Sequence, residues 1–293
     1  MRFGLFLSAF TSKPRGPLDV ASRAAAAAYD AVFVYDHLFP PGSPERPSVE
    51  PFALLAAAAA ANPSLGVGVL VSRALYRRPG MLAKEASALA HMTGGRAFIG
   101  LGLGDRMGAA EHATLDLPYP DVASRAAALE ETAHALRALA RGEGWAGGTR
   151  VPAIDGPLLP SAPFEVWVGG TGMTAVRAAA RSAEAWNGWG MGDDAFVERT
   201  EALAVAAREQ GREPADVPAT WAAIALLGRD AAELATLERE RAAKGGSLDI
   251  WRGTTDDLRR LRDRLDPLGV TWMIALAAGP ADRVELIAET LRS

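Results

Sequence analysis

The chain has no cysteine among its 293 residues, which excludes disulfides and thiolate metal sites and fits a reducing cytoplasm. It has no apolar run long enough for a membrane. The longest, Phe52 to Ala61, is about half a span. No large excess of one charge exists either. Acidic and basic side chains are interspersed and the net charge is −4, which argues against nucleic acid as a partner. Ser/Gly linkers, long charge runs, a P-loop, zinc-ligand spacing and a Ser-His-Asp order are all missing. The N-terminal stretch MRFGLFLSAF carries no small-residue cleavage pattern and reads as a first strand rather than a signal peptide.

What is present is alternation. Apolar runs at Phe3–Leu7, Ala31–Tyr35, Leu65–Val71, Ala97–Leu101, Phe164–Val168, Ala185–Trp189, Thr220–Leu227 and Val270–Ala275 read as strands. Helical patterns separate them near 19–29, 50–61, 80–92, 121–141, 172–183, 194–210, 230–243 and 254–267, and a last helix covers 282–291. The strands are apolar throughout, as parallel strands covered on both faces must be. Eight strands each followed by a helix predict one (β/α)₈ TIM-barrel domain over residues 1–293. The irregular segment 142–163 reads as a long functional or mobile loop.

A barrel gathers the C-terminal ends of its strands at one mouth. Those ends carry Asp36-His37, Ser72-Arg73, Gly102-Leu103-Gly104-Asp105 and Gly169-Gly170-Thr171-Gly172. In "VGGTGMTAVRAAAR" a strand gives way through three glycines to a helix start, where free N–H groups and the helix dipole suit an anion; a ligand-free tight turn is the plainer reading. Arg177 would add charge there. The same stretch fits a dinucleotide fingerprint, Gly170-x-Gly172-x-x-Ala175 with Asp193 downstream, but four strand–helix units precede it. Glycines in "FIGLGLGDR" would let a flat ring approach the backbone, or would form a bulge with Asp105 as a cap. His37 and Asp36 are either a hydrogen-bonded turn or a chemical wall. Glu111-His112, His91 and His134 receive no role.

Four segments in order resemble the luciferase-like flavin oxidoreductase family, in its deazaflavin (coenzyme F420) branch. They are "VYDHLF", the block from Leu65 to Arg106, "ASRAAALEE" with Arg125 and Glu130, and "FEVWVGGTGMTAVRAAARSAEAWNGW". The resemblance implies a hydride transfer between the deazaflavin and a small-molecule substrate, with an FMN-dependent monooxygenase or a non-catalytic cofactor-binding barrel as alternatives. It implies that Asp36 contacts the ring, that His37 handles a proton, and that Asp105 stands where some members carry a catalytic acid. It places a non-proline cis peptide at Gly68-Val69, behind the ring. Gly102, Leu103 and Gly104, with Gly169, Gly170, Thr171, Gly172 and Met173, would complete the cofactor site. A homodimer in the cytoplasm is also implied. The sequence departs from the family where Ala28-Tyr29 replaces an acid-glycine pair and where Pro40-Pro41 lie in place of a tryptophan. The basic residues that grip a sugar phosphate have no match.

Overall fold

In the computed structural model, which describes residues 1–293, β1 (Arg2–Phe6), α1 (Arg15–Ala26), β2 (Ala31–Val34), α2 (Pro51–Ala61), β3 (Gly66–Arg73), α3 (Pro79–Thr93) and β4 (Ala97–Gly102) follow one another. Two helices, α4 (Gly108–Thr114) and α5 (Val122–Ala140), precede β5 (Glu165–Gly169). After them come α6 (Met173–Ser182), β6 (Ala185–Trp189), α7 (Asp193–Glu209) and β7 (Ala219–Gly228). The chain ends with α8 (Ala231–Ala243), β8 (Trp251–Thr254), α9 (Thr255–Leu265), β9 (Trp272–Ala278) and α10 (Arg283–Arg292). Every pairing is parallel; β1 to β7 run in sequence and β9 joins β7 to β1, which closes an eight-stranded barrel. β8 is a ninth strand that the sequence pattern did not predict. It pairs only with the C-terminal end of β7.

Local chemistry explains the boundaries. Proline at the first position opens α2 and α3, where its missing N–H costs nothing. Glu50 caps α2 by accepting from the Ala53 N–H at 2.7 Å, and Gly94 ends α3 in the left-handed conformation at φ 62°. Thr254 and Asp257 cap α9 reciprocally. Alanine-rich α2 and α6 pack against the sheet, their small side chains allowing close approach.

Period-two alternation sorts each strand into two faces. In β2 and its extension, Val32, Val34 and Asp36 point to the helices, while Phe33, Tyr35 and His37 point into the barrel. Phe33, Phe98, Trp167 and Trp272 fill the lower barrel, with ring centroids 5.1 to 5.8 Å apart. Gly4 and Gly68 make room for Phe33: a Cβ on either would lie 2.7 Å from its ring. That plug closes the barrel below and leaves the mouth open above.

The 142–163 segment is tied to the scaffold. Glu131 on α5 accepts from the N–H groups of Thr149, Arg150 and Val151 at 2.7–2.9 Å, and Trp145 bridges Ile154. None of these residues lines the cavity described below, so they are a pinned flap on the outer ring rather than a lid.

Candidate active site

At the C-terminal mouth of the barrel lies a cavity of about 690 Å³, within the range of small-molecule sites. One wall is aliphatic and glycine-rich: Leu70, Val71, Leu103, Gly102, Gly104 and Gly169. Opposite stand Phe10, Tyr35 and Trp189; Tyr35 stacks on Phe6 at 4.6 Å and meets Trp189 edge-on at 5.3 Å. Burial pushes the Tyr35 phenol well above its ordinary range, so it stays neutral. The third wall is the N-terminus of α6, where Gly170, Thr171 and Gly172 line the cavity. The first N–H groups of that helix have no intrahelical partner, and no side chain caps them. Gly170 adopts φ 147°, and a Cβ there would lie 2.8 Å from Ala175. Arg177 is exposed and does not line the cavity.

His37 reaches this cavity from β2, and its Nδ1 lies 2.6 Å from Glu111 Oε1. Glu111 comes from α4, a helix too short to leave a periodic signal. Its other oxygen accepts from the Leu38 N–H at 2.6 Å and from Arg73 Nη2 at 2.9 Å. Burial works against a charged carboxyl there, but the hydrogen bonds from His37, Leu38 and Arg73 outweigh it and bring the group down to about 2. A carboxylate only accepts, so the Nδ1–H of His37 donates and Nε2 is left for the cavity.

Asp36 is elsewhere. Alternation turns it to the outer face of β2, where it is 1% exposed and does not line the cavity. It accepts two bonds from Arg77 at 2.8 and 2.9 Å and one from the Ser72 hydroxyl at 2.5 Å. Arg77 also holds Glu50 at 2.7 Å, so Asp36 anchors the β2 and β3 ends to α2. Asp105 lines the cavity, yet its carboxylate caps the turn into α4 by accepting from Met107 and Gly108 at 3.0 and 3.1 Å.

The non-proline cis peptide is at Leu70-Val71, not at Gly68-Val69. Gly68 and Val69 lie about 7 Å deeper at 3.3 Å per residue; Gly68 sits against Phe33 and Phe98, and Val69 faces the helices. A bulge between Val69 and Ser72 resets the alternation, so Val71 and Arg73 both reach the cavity while Ser72 turns to Asp36. The glycines at the ends of β4 and β5 have a different cause from the one expected. Cβ atoms at Gly102 and Gly169 would lie 2.6 and 2.5 Å from the Val71 side chain, so they accommodate Val71. Met173 does not line the cavity, whereas Gly169, Gly170, Thr171 and Gly172 do. The dinucleotide-fingerprint alternative fails, because its strand is the fifth of a closed barrel.

A family model described as luciferase-like monooxygenase matches residues 1–283. The chain belongs to that family. Among luciferase-like relatives, an F420-dependent glucose-6-phosphate dehydrogenase of Beutenbergia cavernae is 32% identical over 229 residues. The match covers 74% of this chain and 66% of that protein, just under two thirds of it. An F420-dependent secondary alcohol dehydrogenase solved with an F420-acetone adduct has the same fold, with TM-score 0.81 at 16% identity over 100% of this chain and 99% of that one. The F420-dependent tetrahydromethanopterin reductase of Methanopyrus kandleri also gives 0.81, at 17% identity over 99% and 98%. No helix is long and apolar enough to cross a membrane.

Proposed function

We propose that this chain is a coenzyme F420-dependent oxidoreductase acting on a small uncharged alcohol or ketone. The observation that carries the reading is His37 offering Nε2 to a cavity with one flat aliphatic wall and one uncapped helix start. These residues fit the cofactor. Leu70, Val71 and Leu103 would back a deazaflavin ring, and the α6 N-terminus would take a tail phosphate. When bound, the deazaflavin supplies a two-electron hydride acceptor or donor.

The chain's own part is orientation and proton transfer. His37 Nε2 takes the hydroxyl proton as an alcohol is oxidised, or returns one to the carbonyl oxygen in reduction. Phe10, Tyr35, Trp189, Ile224 and Leu276 line the same cavity and would give that oxygen an apolar surrounding. The only basic side chains on the lining are His37 and Arg73, and Arg73 is already paired with Glu111. A sugar phosphate therefore finds no free cation, which favours an uncharged substrate over the one named for the Beutenbergia relative.

Titration of the purified protein with F420 and with FMN tests the cofactor; tight FMN binding without F420 binding rejects the reading in favour of a monooxygenase. Hydride transfer to F420 from short secondary alcohols, with glucose 6-phosphate as comparison, tests the substrate class. A cofactor-bound protein that turns over no alcohol, imine or enone would be a binding barrel. A homodimer in the cytoplasm completes the proposal, and a strict monomer in light scattering at micromolar concentration would reject the dimer.

A further inference from the structure

We infer that Glu111 is a positioning residue for His37: its carboxylate holds the imidazole by Nδ1 and thereby dedicates Nε2 to the cavity, while Arg73 holds the carboxylate. Three observations converge. The His37 Nδ1 to Glu111 Oε1 distance is 2.6 Å. Glu111 is 1% exposed and has no water to turn to. Its second oxygen is fixed by two donors, the Leu38 N–H at 2.6 Å and Arg73 Nη2 at 2.9 Å, so the carboxylate cannot rotate away from the ring. Arg73 is itself wedged: a Cβ at Gly104 or at Gly108 would lie 2.9 Å from its Cδ. The chain of support thus runs from backbone to Arg73, to Glu111, to His37.

The consequence is a fixed tautomer. Which ring nitrogen carries the proton is set by the partner of the other. With a carboxylate at Nδ1, the neutral ring is protonated there, and Nε2 presents a lone pair to the cavity. Such a ring takes a proton from a hydroxyl when the carbinol carbon gives up hydride. In the reverse direction the doubly protonated ring returns it. The catalytic meaning rests on the hydride-transfer reading above; the tautomer does not.

The amide of Glu111→Gln has one acceptor and one donor end. Two donors, Leu38 N–H and Arg73, claim the oxygen, so the NH₂ faces His37 Nδ1 and turns it into an acceptor. The tautomer inverts and Nε2 becomes protonated. The test is ¹⁵N–¹H correlation NMR of the histidine rings at a pH where they are neutral. The chain has only four histidines, and His37 is assigned from its missing signals in His37→Gln. The expected result is Nδ1–H in the unaltered protein and Nε2–H in Glu111→Gln. An Nε2–H ring in the unaltered protein overturns the inference without any variant having to fold.

Kinetics separate positioning from scaffolding. Glu111→Gln should lower kcat by roughly 10²-fold, at the low end for loss of a general base. KM and F420 affinity should stay within about twofold, and Glu111→Asp should recover part of the loss. An Nδ1–H ring that persists in Glu111→Gln means that Glu111 does not set the ring and rejects the inference, whereas an inverted tautomer with unchanged turnover rejects only its catalytic meaning. If the unaltered protein shows Nδ1–H but no F420 turnover, the hydride-transfer reading fails while the positioning of His37 stands.

Discussion

At the scale of single residues, β2 delivers two neighbours to two different tasks. His37 and Asp36 point to opposite faces, as strand alternation requires; the cavity receives the imidazole and the helix layer receives the acid. His37→Ala should therefore reduce turnover by roughly 10²–10⁴-fold, with F420 affinity little changed. Retention of full turnover on a genuine substrate would make the imidazole structural. Asp36→Ala should act on stability rather than on cofactor binding, because it breaks a buried ion pair. A loss of about 3 kcal/mol in urea unfolding is expected, and unchanged stability with weakened F420 binding would contradict the placement. Acid should tell a related story at Glu111. Its carboxyl is held down from its usual 4.5 to about 2, so its contribution is complete above about pH 4.5 and disappears as pH falls toward 2. Stability should drop over that window by up to about 3 kcal/mol more than in Glu111→Gln, which has no such carboxyl to protonate.

The separation of Asp36 from His37 was legible in the sequence, but the face each one served was not. Periodicity gives two faces without saying which one meets a ligand, and the resemblance supplied the wrong one for Asp36. Glu111 was invisible for a different reason. It lies on a seven-residue helix with no apolar repeat, and its partner is 74 positions away. The register of the cis peptide was missed by two residues because a bulge, which leaves no compositional mark, resets β3.

At the scale of elements, the long periodic segments were read well. All eight barrel strands were located, and α5, α6 and α7 lie within two residues of their predicted ranges. β8 escaped because four residues with an exposed Arg252 carry no alternation worth the name. Two substitutions test the elements. Gly68→Ala in β3 would drive a methyl to within 2.7 Å of Phe33 and 2.9 Å of Phe98 Cβ. The overpacked core should lose about 1–3 kcal/mol by thermal or urea unfolding, and a neutral result would show that the aromatic plug can yield. Glu131→Ala removes the acceptor shared by three consecutive N–H groups. Limited proteolysis should then cut first within 145–155 while F420 affinity stays the same, because that segment lies off the cavity.

At the scale of the whole molecule, closure dominates. β1 pairs with β2 on one side and β9 on the other, with Gly4 opposite Ile274. A chain shortened to end before Trp272 would leave the edges of β1 and β7 unpaired and the plug without Trp272. Such a fragment should show no cooperative unfolding transition and should aggregate; a sharp transition would mean that the barrel tolerates an open seam. Bound cofactor should act in the opposite sense, raising the melting temperature in proportion to the logarithm of its concentration.

The Gly4–Ile274 pairing also sets a schedule in time. A ribosome adds roughly 5–20 residues per second, so about 14 to 54 seconds separate the synthesis of these two partners. Throughout that interval the first strand waits with one flank bare, and no order of folding upstream can shorten the wait. The partly made chain stays open to misassociation through that edge until Ile274 has emerged.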